Sequence, residues 1–155
     1  MEGSVKDILT AEKSGIDLQS NTSVELFAGK GIVGDRYYSA QGTFSQALEG
    51  EPDFEITLIE QEQIDAFNQQ TGFNYAAADF RRNIVTTGID LNELEGKEFT
   101  VGNVRLKGIR LCEPCAYLSS LLGPEVLEHM LHKAGLRAQI LTDGILHVSD
   151  KVMSL

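Results

Sequence analysis

Cys112 and Cys115 are the only cysteines in the chain, and Glu113 and Pro114 separate them. Thiolate rather than thiol is the nucleophile and metal ligand, and nearby cations favour it. Guanidinium groups are available upstream, in Arg81-Arg82-Asn83. A thiol pair combined with arginines suits a soft metal, a reactive sulfur species or an anionic cofactor. Two buried free cysteines are the simpler reading, since cysteine is among the most buried residue types. Pro114 and the helix-like run at 116–122 favour a shaped turn instead.

Two other chemistries fit the same spacing. A thioredoxin-like redox pair also follows a strand and precedes a helix, but there the motif accompanies an early βαβ unit. Here it follows many β segments, and Pro124 is too near in sequence to pack as a distant loop. Cys112, Cys115, His129 and His132 approach a Cys2His2 zinc set. The histidines, however, are separated by two residues where three to five are usual.

Arginine suits bidentate recognition of phosphate, and Asn83 adds a donor and an acceptor. If Arg81 and Arg82 begin the strand that Ile84 continues, they face opposite sides, one toward a pocket and one toward solvent. A solvated pair balancing Asp79 is the plain reading. The stretch 29–36, with Gly29, Gly31 and Gly34 before Asp35 and Arg36, can nest an anion on backbone N–H groups. It lacks the spacing of a P-loop or a dinucleotide fingerprint, and an ordinary glycine-rich turn explains it equally well.

Positioning these groups requires a sheet. Fifteen glycines punctuate short β-branched runs, which predicts strands at 5–9, 24–27, 55–59, 83–86, 98–101, 104–107, 109–111, 139–141 and 146–148. Gly102-Asn103 suits a tight hairpin turn, and Asp143-Gly144 predicts a second hairpin over 141–148. One helix is expected over 60–71, stopping at Gly72. Another should begin at Pro124 and end at Gly135, with Val126, Leu127, Met130, Leu131 and Ala134 on one face. Many short strands with few helices favour a mainly β barrel or bent sheet over a parallel α/β fold.

At 155 residues, 42% hydrophobic and 23% charged, the chain reads as a single domain with a core of its own. A formal net charge of -10 argues against nucleic-acid binding, which needs a basic surface. A local arginine pocket can still oppose that global sign. Glu49, Glu51, Asp53 and Glu55 make the densest acidic patch, expected as a solvated loop. Two cysteines do not make a secreted disulfide framework. The N-terminal residues lack a signal-peptide pattern, and no apolar run approaches membrane-spanning length. A cytoplasmic protein with no membrane association is the expectation.

Taken in order, several runs resemble the MOSC domain, the module related to the C-terminal part of molybdenum cofactor sulfurases. They are Gly-Ile-Val-Gly-Asp-Arg-Tyr at 31–37, Ile-Thr-Leu-Ile-Glu at 56–60, Arg-Arg-Asn-Ile at 81–84 and the segment 88–96. Phe-Thr-Val-Gly at 99–102, Leu-Cys-Glu-Pro-Cys at 111–115, Gly-Leu-Arg-Ala at 135–138 and the segment 143–150 follow. The resemblance implies a MOSC-type β-barrel with a few short helices and a pterin-based molybdenum cofactor (molybdopterin). It implies Cys115 as metal ligand and catalytic residue, with Cys112 accessory. By position, Arg81, Arg82 and Asn83 fall on the cofactor-binding stretch, as do Gly34, Asp35 and Arg36. Thiolate is a suitable ligand for such a soft metal, and arginine for a pterin phosphate. The function implied is a molybdenum-dependent reductase of N-hydroxylated substrates, with electrons from another protein. A persulfide carrier served by a desulfurase, a cofactor-handover protein and a non-catalytic sensor or interaction domain are the alternatives. Ser149-Asp150 stands where the family usually has Gly-Asp, a change expected to affect a turn and not the chemistry.

Overall fold

Apolar residues in the strands alternate between two cores, one inside a barrel and one between the barrel and its helices. The computed structural model describes residues 1–47 and 49–155; of Asp53, only the backbone is described. The strands are β1 (Glu2–Thr10), β2 (Gln19–Asn21), β3 (Ser23–Phe27), β4 (Gly31–Ile32), β5 (Ile56–Glu60) and β6 (Ile84–Thr87). They continue as β7 (Glu98–Val101), β8 (Val104–Leu111), β9 (Leu136–Ile140), β10 (Gly144–His147) and β11 (Lys151–Ser154). The helices are α1 (Gln61–Thr71), α2 (Ala116–Leu122) and α3 (Glu125–His129).

The main sheet runs β11-β7-β8-β9-β5-β6-β1-β2, and β11 also pairs with β1. That last pairing, Glu2 opposite Met153 and Ser4 opposite Lys151, closes seven strands into a barrel. All its ladders are antiparallel except β5 with β6. A small second sheet, β10-β3-β4, lies outside this ring of pairings. Mainly β architecture, barrel closure and few short helices agree with the sequence expectation.

Side chains at alternate positions explain the division of the core. Ile56 and Leu58 of β5 join Ile84, Phe99, Leu106 and Leu136 in the first cluster. Ile59 and Val85, one residue out of phase, join Ile64, Phe67, Leu118 and Val126 from the three helices. Strands covered on both faces read as continuous apolar runs, which is why 56–59 and 84–86 look so hydrophobic. α1 starts after Glu60 and ends at Gly72, whose φ of 80° supplies the left-handed cap. Gly102, at φ 57°, makes the expected hairpin turn between Val101 and Val104.

Several expectations fail for identifiable reasons. The runs 104–107 and 109–111 form one strand, β8, with a register shift between Gly108 and Arg110. Gly108 interrupts the pattern but not the strand, because a Cβ there would meet the Leu94 carbonyl oxygen at 2.1 Å. β9 begins directly after Gly135, three residues ahead of the expected start. No hairpin forms over 141–148: β10 crosses to the small sheet and pairs with β3, while Asp143 Oδ1 accepts from Ala28 N at 2.8 Å. The helix expected over 124–134 is only α3, five residues long. His132 adopts φ 63°, so Val126, Met130 and Ala134 are buried while Leu127 and Leu131 stay exposed. Ser149 also takes a left-handed φ, 78°, the conformation that glycine enters without a Cβ penalty.

The acidic patch divides. Glu49 and Glu51 are exposed as expected, and the Asp53 side chain lies outside the described residues. Glu55 is buried, with Oε1 accepting from Gly29 N at 2.8 Å and Ile140 N at 3.3 Å. Burial pushes its carboxyl above the ordinary carboxylate range, and the two backbone donors pull it partly back. Among the described residues, no helix is long and apolar enough to cross a membrane.

Candidate functional site

β8 delivers the thiol turn to the edge of the barrel. Cys112 N donates to the Gly135 carbonyl at 2.8 Å, holding the turn against the start of β9. Pro114 has no N–H to offer, and Cys115 becomes the N-cap of α2, its carbonyl accepting from Ser119 N at 2.9 Å. Glu113, between the cysteines, accepts from His132 N at 2.7 Å and also bonds His132 Nδ1. The turn is therefore tied on one side to β9 and on the other to the segment after α3. Cys112 is buried, Cys115 is half-buried, and both are free thiols.

The arginine doublet does not begin a strand. A 3₁₀ turn at Ala77–Phe80 ends on Arg81 in the left-handed conformation, φ 64°. Strand alternation therefore does not apply, and both arginines line the same cleft. Their engagements differ. Arg82 is buried, and its guanidinium donates to the carbonyls of Ala134 (2.8 Å), Phe80 (3.2 Å) and Cys112 (3.1 Å). Arg81 Nη1 donates to the Ile16 carbonyl at 2.8 Å. Its Nη2 is buried and finds no acceptor among the described residues.

Arg36 forms a buried pair with Asp35 at 3.0 Å, and its Nη2 donates to the Arg81 carbonyl at 3.0 Å. Asp35 also accepts from Ala11 N and Tyr37 N. Its role is to hold Arg36 and the loop, and it does not line the cleft. Gly34 occupies a left-handed position in an exposed turn away from the cleft. Asn83 is buried between strands: Oδ1 accepts from Thr57 N and Thr57 Oγ1, and Nδ2 donates to the Leu9 carbonyl. Its donors and acceptor are occupied by backbone and Thr57.

Of the expected site residues, Arg36, Arg81, Arg82, Cys112 and Cys115 thus gather at one cleft, while Gly34, Asp35 and Asn83 do not. Arg137, Tyr37 and Tyr117 complete the walls, and sequence reasoning passed over them. Arg137 carried a readable signal, a lone cation in the otherwise alternating strand β9. It stacks on Phe44 with 5.6 Å from guanidinium carbon to ring centroid. Four arginines and two cysteines line the cleft, and with only Arg36 paired to a carboxylate, Asp35, among the described residues, the region is locally cationic on a chain of net charge -10. Its inner space measures about 30 Å³, and the whole volume out to the open mouth about 420 Å³. The histidines do not form a metal set with the thiols: His129 packs against Phe67, His132 reaches the thiol turn through Glu113, and no group of three potential metal-binding side chains gathers among the described residues.

The donor set fits an anionic guest with a soft metal. Arg81 Nη2 has no acceptor among the described residues, which an anion would supply, and Cys115 lines the same cleft. Arg81 also borders the neighbouring groove beside its bond to Ile16, and Cys115 packs in part against the helix-side core. The inner space accepts one small group, so the bulk of a larger guest would have to occupy the open mouth.

The family model described as MOSC domain matches residues 45–153. No curated protein matches the sequence. Among solved structures, YuaD from Bacillus subtilis superposes with a TM-score of 0.81 at 15% identity, over 98% of this chain and 94% of that one. YiiM from Geobacillus stearothermophilus gives 0.75 at 14% identity, over 99% and 75%. YiiM from Escherichia coli gives 0.71 at 16%, over 100% and 70%. At these identities the structural likeness speaks to the fold.

Proposed function

The chain belongs to the MOSC domain family, and we propose that it binds a pterin-type molybdenum cofactor in the arginine-lined cleft and reduces N-hydroxylated substrates with electrons from another protein. The observation that carries this reading is the buried Arg81 Nη2 without an acceptor, in a residue that shares its cleft with the half-buried Cys115. An unpaired buried donor is costly, and an anion is the partner that removes the cost.

When bound, the cofactor would supply a metal able to pass two electrons. The chain's residues then have distinct tasks. Cys115 offers its sulfur as a metal ligand, Arg81 and Arg137 take the anionic end, and Arg82 holds the thiol turn by its bond to the Cys112 carbonyl. Asp35 keeps Arg36 oriented. The overall change is R–NHOH + 2e⁻ + 2H⁺ → R–NH₂ + H₂O.

Two free thiols lining one cleft also support a second reading, a persulfide carrier on Cys115 or a protein that hands the cofactor on. One preparation tests both. Protein made in a host with an intact cofactor pathway should retain molybdenum and reduce an N-hydroxylated amine when given a donor. Absence of both molybdenum and turnover overturns the first reading. An added sulfur on Cys115 by mass spectrometry, formed with a desulfurase present, favours the second.

A further inference from the structure

Beyond the thiol cleft, Tyr37 forms the wall of a second cavity, shared with Tyr38, Phe54, Lys30 and Glu49. It measures about 260 Å³, and about 150 Å³ is enough to hold benzene in an apolar cavity. Three aromatic side chains therefore line room for one substituted ring in a pocket that is open to solvent. Tyr38 is backed by Phe27, at 6.3 Å between centroids, and Lys30 Nζ lies 5.9 Å from the Tyr38 ring. Tyr37 is fixed from behind by Arg36, 5.0 Å from its centroid, and by Gly42, where a Cβ would sit 2.6 Å from the ring. Among the described side chains, one cation, Lys30, and one carboxylate, Glu49, line the cavity, a balance that does not select an ion.

We propose that this cavity binds a flat, uncharged aromatic ring, and that Tyr37, common to both spaces, sets the ring beside the thiol cleft. The ring site stands on the cavity alone; its role as the substrate's recognition end rests on the reductase reading. Aromatic faces favour offset or edge contacts with another ring over contacts with a saturated one.

The test uses benzohydroxamic acid, an uncharged aromatic N-hydroxy compound, and its saturated counterpart cyclohexanecarbohydroxamic acid. Both are titrated into cofactor-free protein and followed by amide chemical shifts. The aromatic probe should bind about 3–10-fold more tightly. It should shift Gly29, Lys30, Tyr38 and Gly50, and give nuclear Overhauser contacts to the Tyr38 and Phe54 rings. Tyr38→Leu should weaken it by a similar factor. Equal affinity for the two probes, or shifts confined to Arg81, Arg137 and Cys115, overturns the proposal. Because the probes need no metal, the ring site can fail while molybdenum and turnover are present, or hold while both are absent; only the second result removes the reductase reading.

Discussion

Arg82 donates from Nη2 to the carbonyl of Cys112, 3.1 Å away and thirty positions along the chain. Its neighbour Arg81 leaves the corresponding nitrogen without an acceptor among the described residues. Both residues line one cleft but are engaged differently: Arg82 holds the thiol turn, and Arg81 Nη2, in the function proposed above, is kept for a guest. Substitution should separate these roles. Arg82→Ala leaves three carbonyls without this donor and should cost more than about 2 kcal/mol of stability, since a buried acceptor left unsatisfied costs about 1–3 kcal/mol. Arg81→Ala should lower stability by no more than about 1 kcal/mol while weakening cofactor retention by about 1.5–3 kcal/mol. Urea melts with molybdenum content read both quantities, and equal stability losses in the two variants would refute the division.

Cys115→Ser exchanges one small atom on a half-buried N-cap. We expect molybdenum retention to disappear and the unfolding free energy to change by less than about 1 kcal/mol. Serine also remains a good N-cap. Retained metal in this variant would remove Cys115 from the ligand role.

Glu55 gives a pH dependence with a defined sign. Burial, its largest influence, raises its carboxyl above 4.5, and Glu60 is raised in the same way. An acid with a folded pKa above its unfolded one favours the folded state below the unfolded value. That contribution is lost as pH rises through the folded value. Glu55→Gln keeps an acceptor for Gly29 N and Ile140 N and cannot ionise. Its stability should therefore fall less than wild type as pH climbs from 4.5 through the raised value. Superimposable denaturation curves across that window would contradict the assignment.

Gly135 has φ 116°, and a Cβ there would lie 2.1 Å from the Leu58 carbonyl oxygen. The same glycine accepts from Cys112 N, so a forced shift reaches the thiol turn. Gly135→Ala should destabilise by more than about 2 kcal/mol and reduce thiol accessibility or metal retention together with Tm. A neutral result would mean that β5 and β9 can separate at no cost.

Ser149 offers the opposite outcome. It is exposed and left-handed, a conformation costing a residue with Cβ about 1–2 kcal/mol. Glycine relieves that strain while losing some to its freer unfolded chain. Ser149→Gly should gain about 0.5–1 kcal/mol, or roughly 1–4 °C in Tm. A lower Tm would show that the serine side chain holds this turn.

The barrel was legible because its strands carry β-branched runs and its turns carry glycines at positive φ, as at Gly102 and Gly72. The thiol turn and the arginine doublet were legible from residue type. Pairing partners were not: Asp143-Gly144 is a plausible hairpin turn by composition, yet only the presence of β3 makes 144–147 leave the barrel. The short strands β2, β4 and β11 are too brief to leave a periodic trace. Asn83 and Asp35 illustrate the other limit. Their polarity announces hydrogen bonding, but not whether the partner is a guest or, as here, the chain's own backbone. Glu55 reads as one more acid in an acidic stretch until the N–H groups of Gly29 and Ile140 are seen to meet it.

Because β1 and β11 complete the ring, the first nine-residue strand must wait for residues 151–154 before both its edges are satisfied. During synthesis the nascent chain emerges with Glu2–Thr10 long before its last partner leaves the ribosome. Until then the Glu2–Ser4 end of one β1 edge remains available to neighbouring chains, while Ile8–Thr10 is covered by β2. A closed barrel thus trades early completion of β1 for a ring that has no open edge once residues 151–154 are in place.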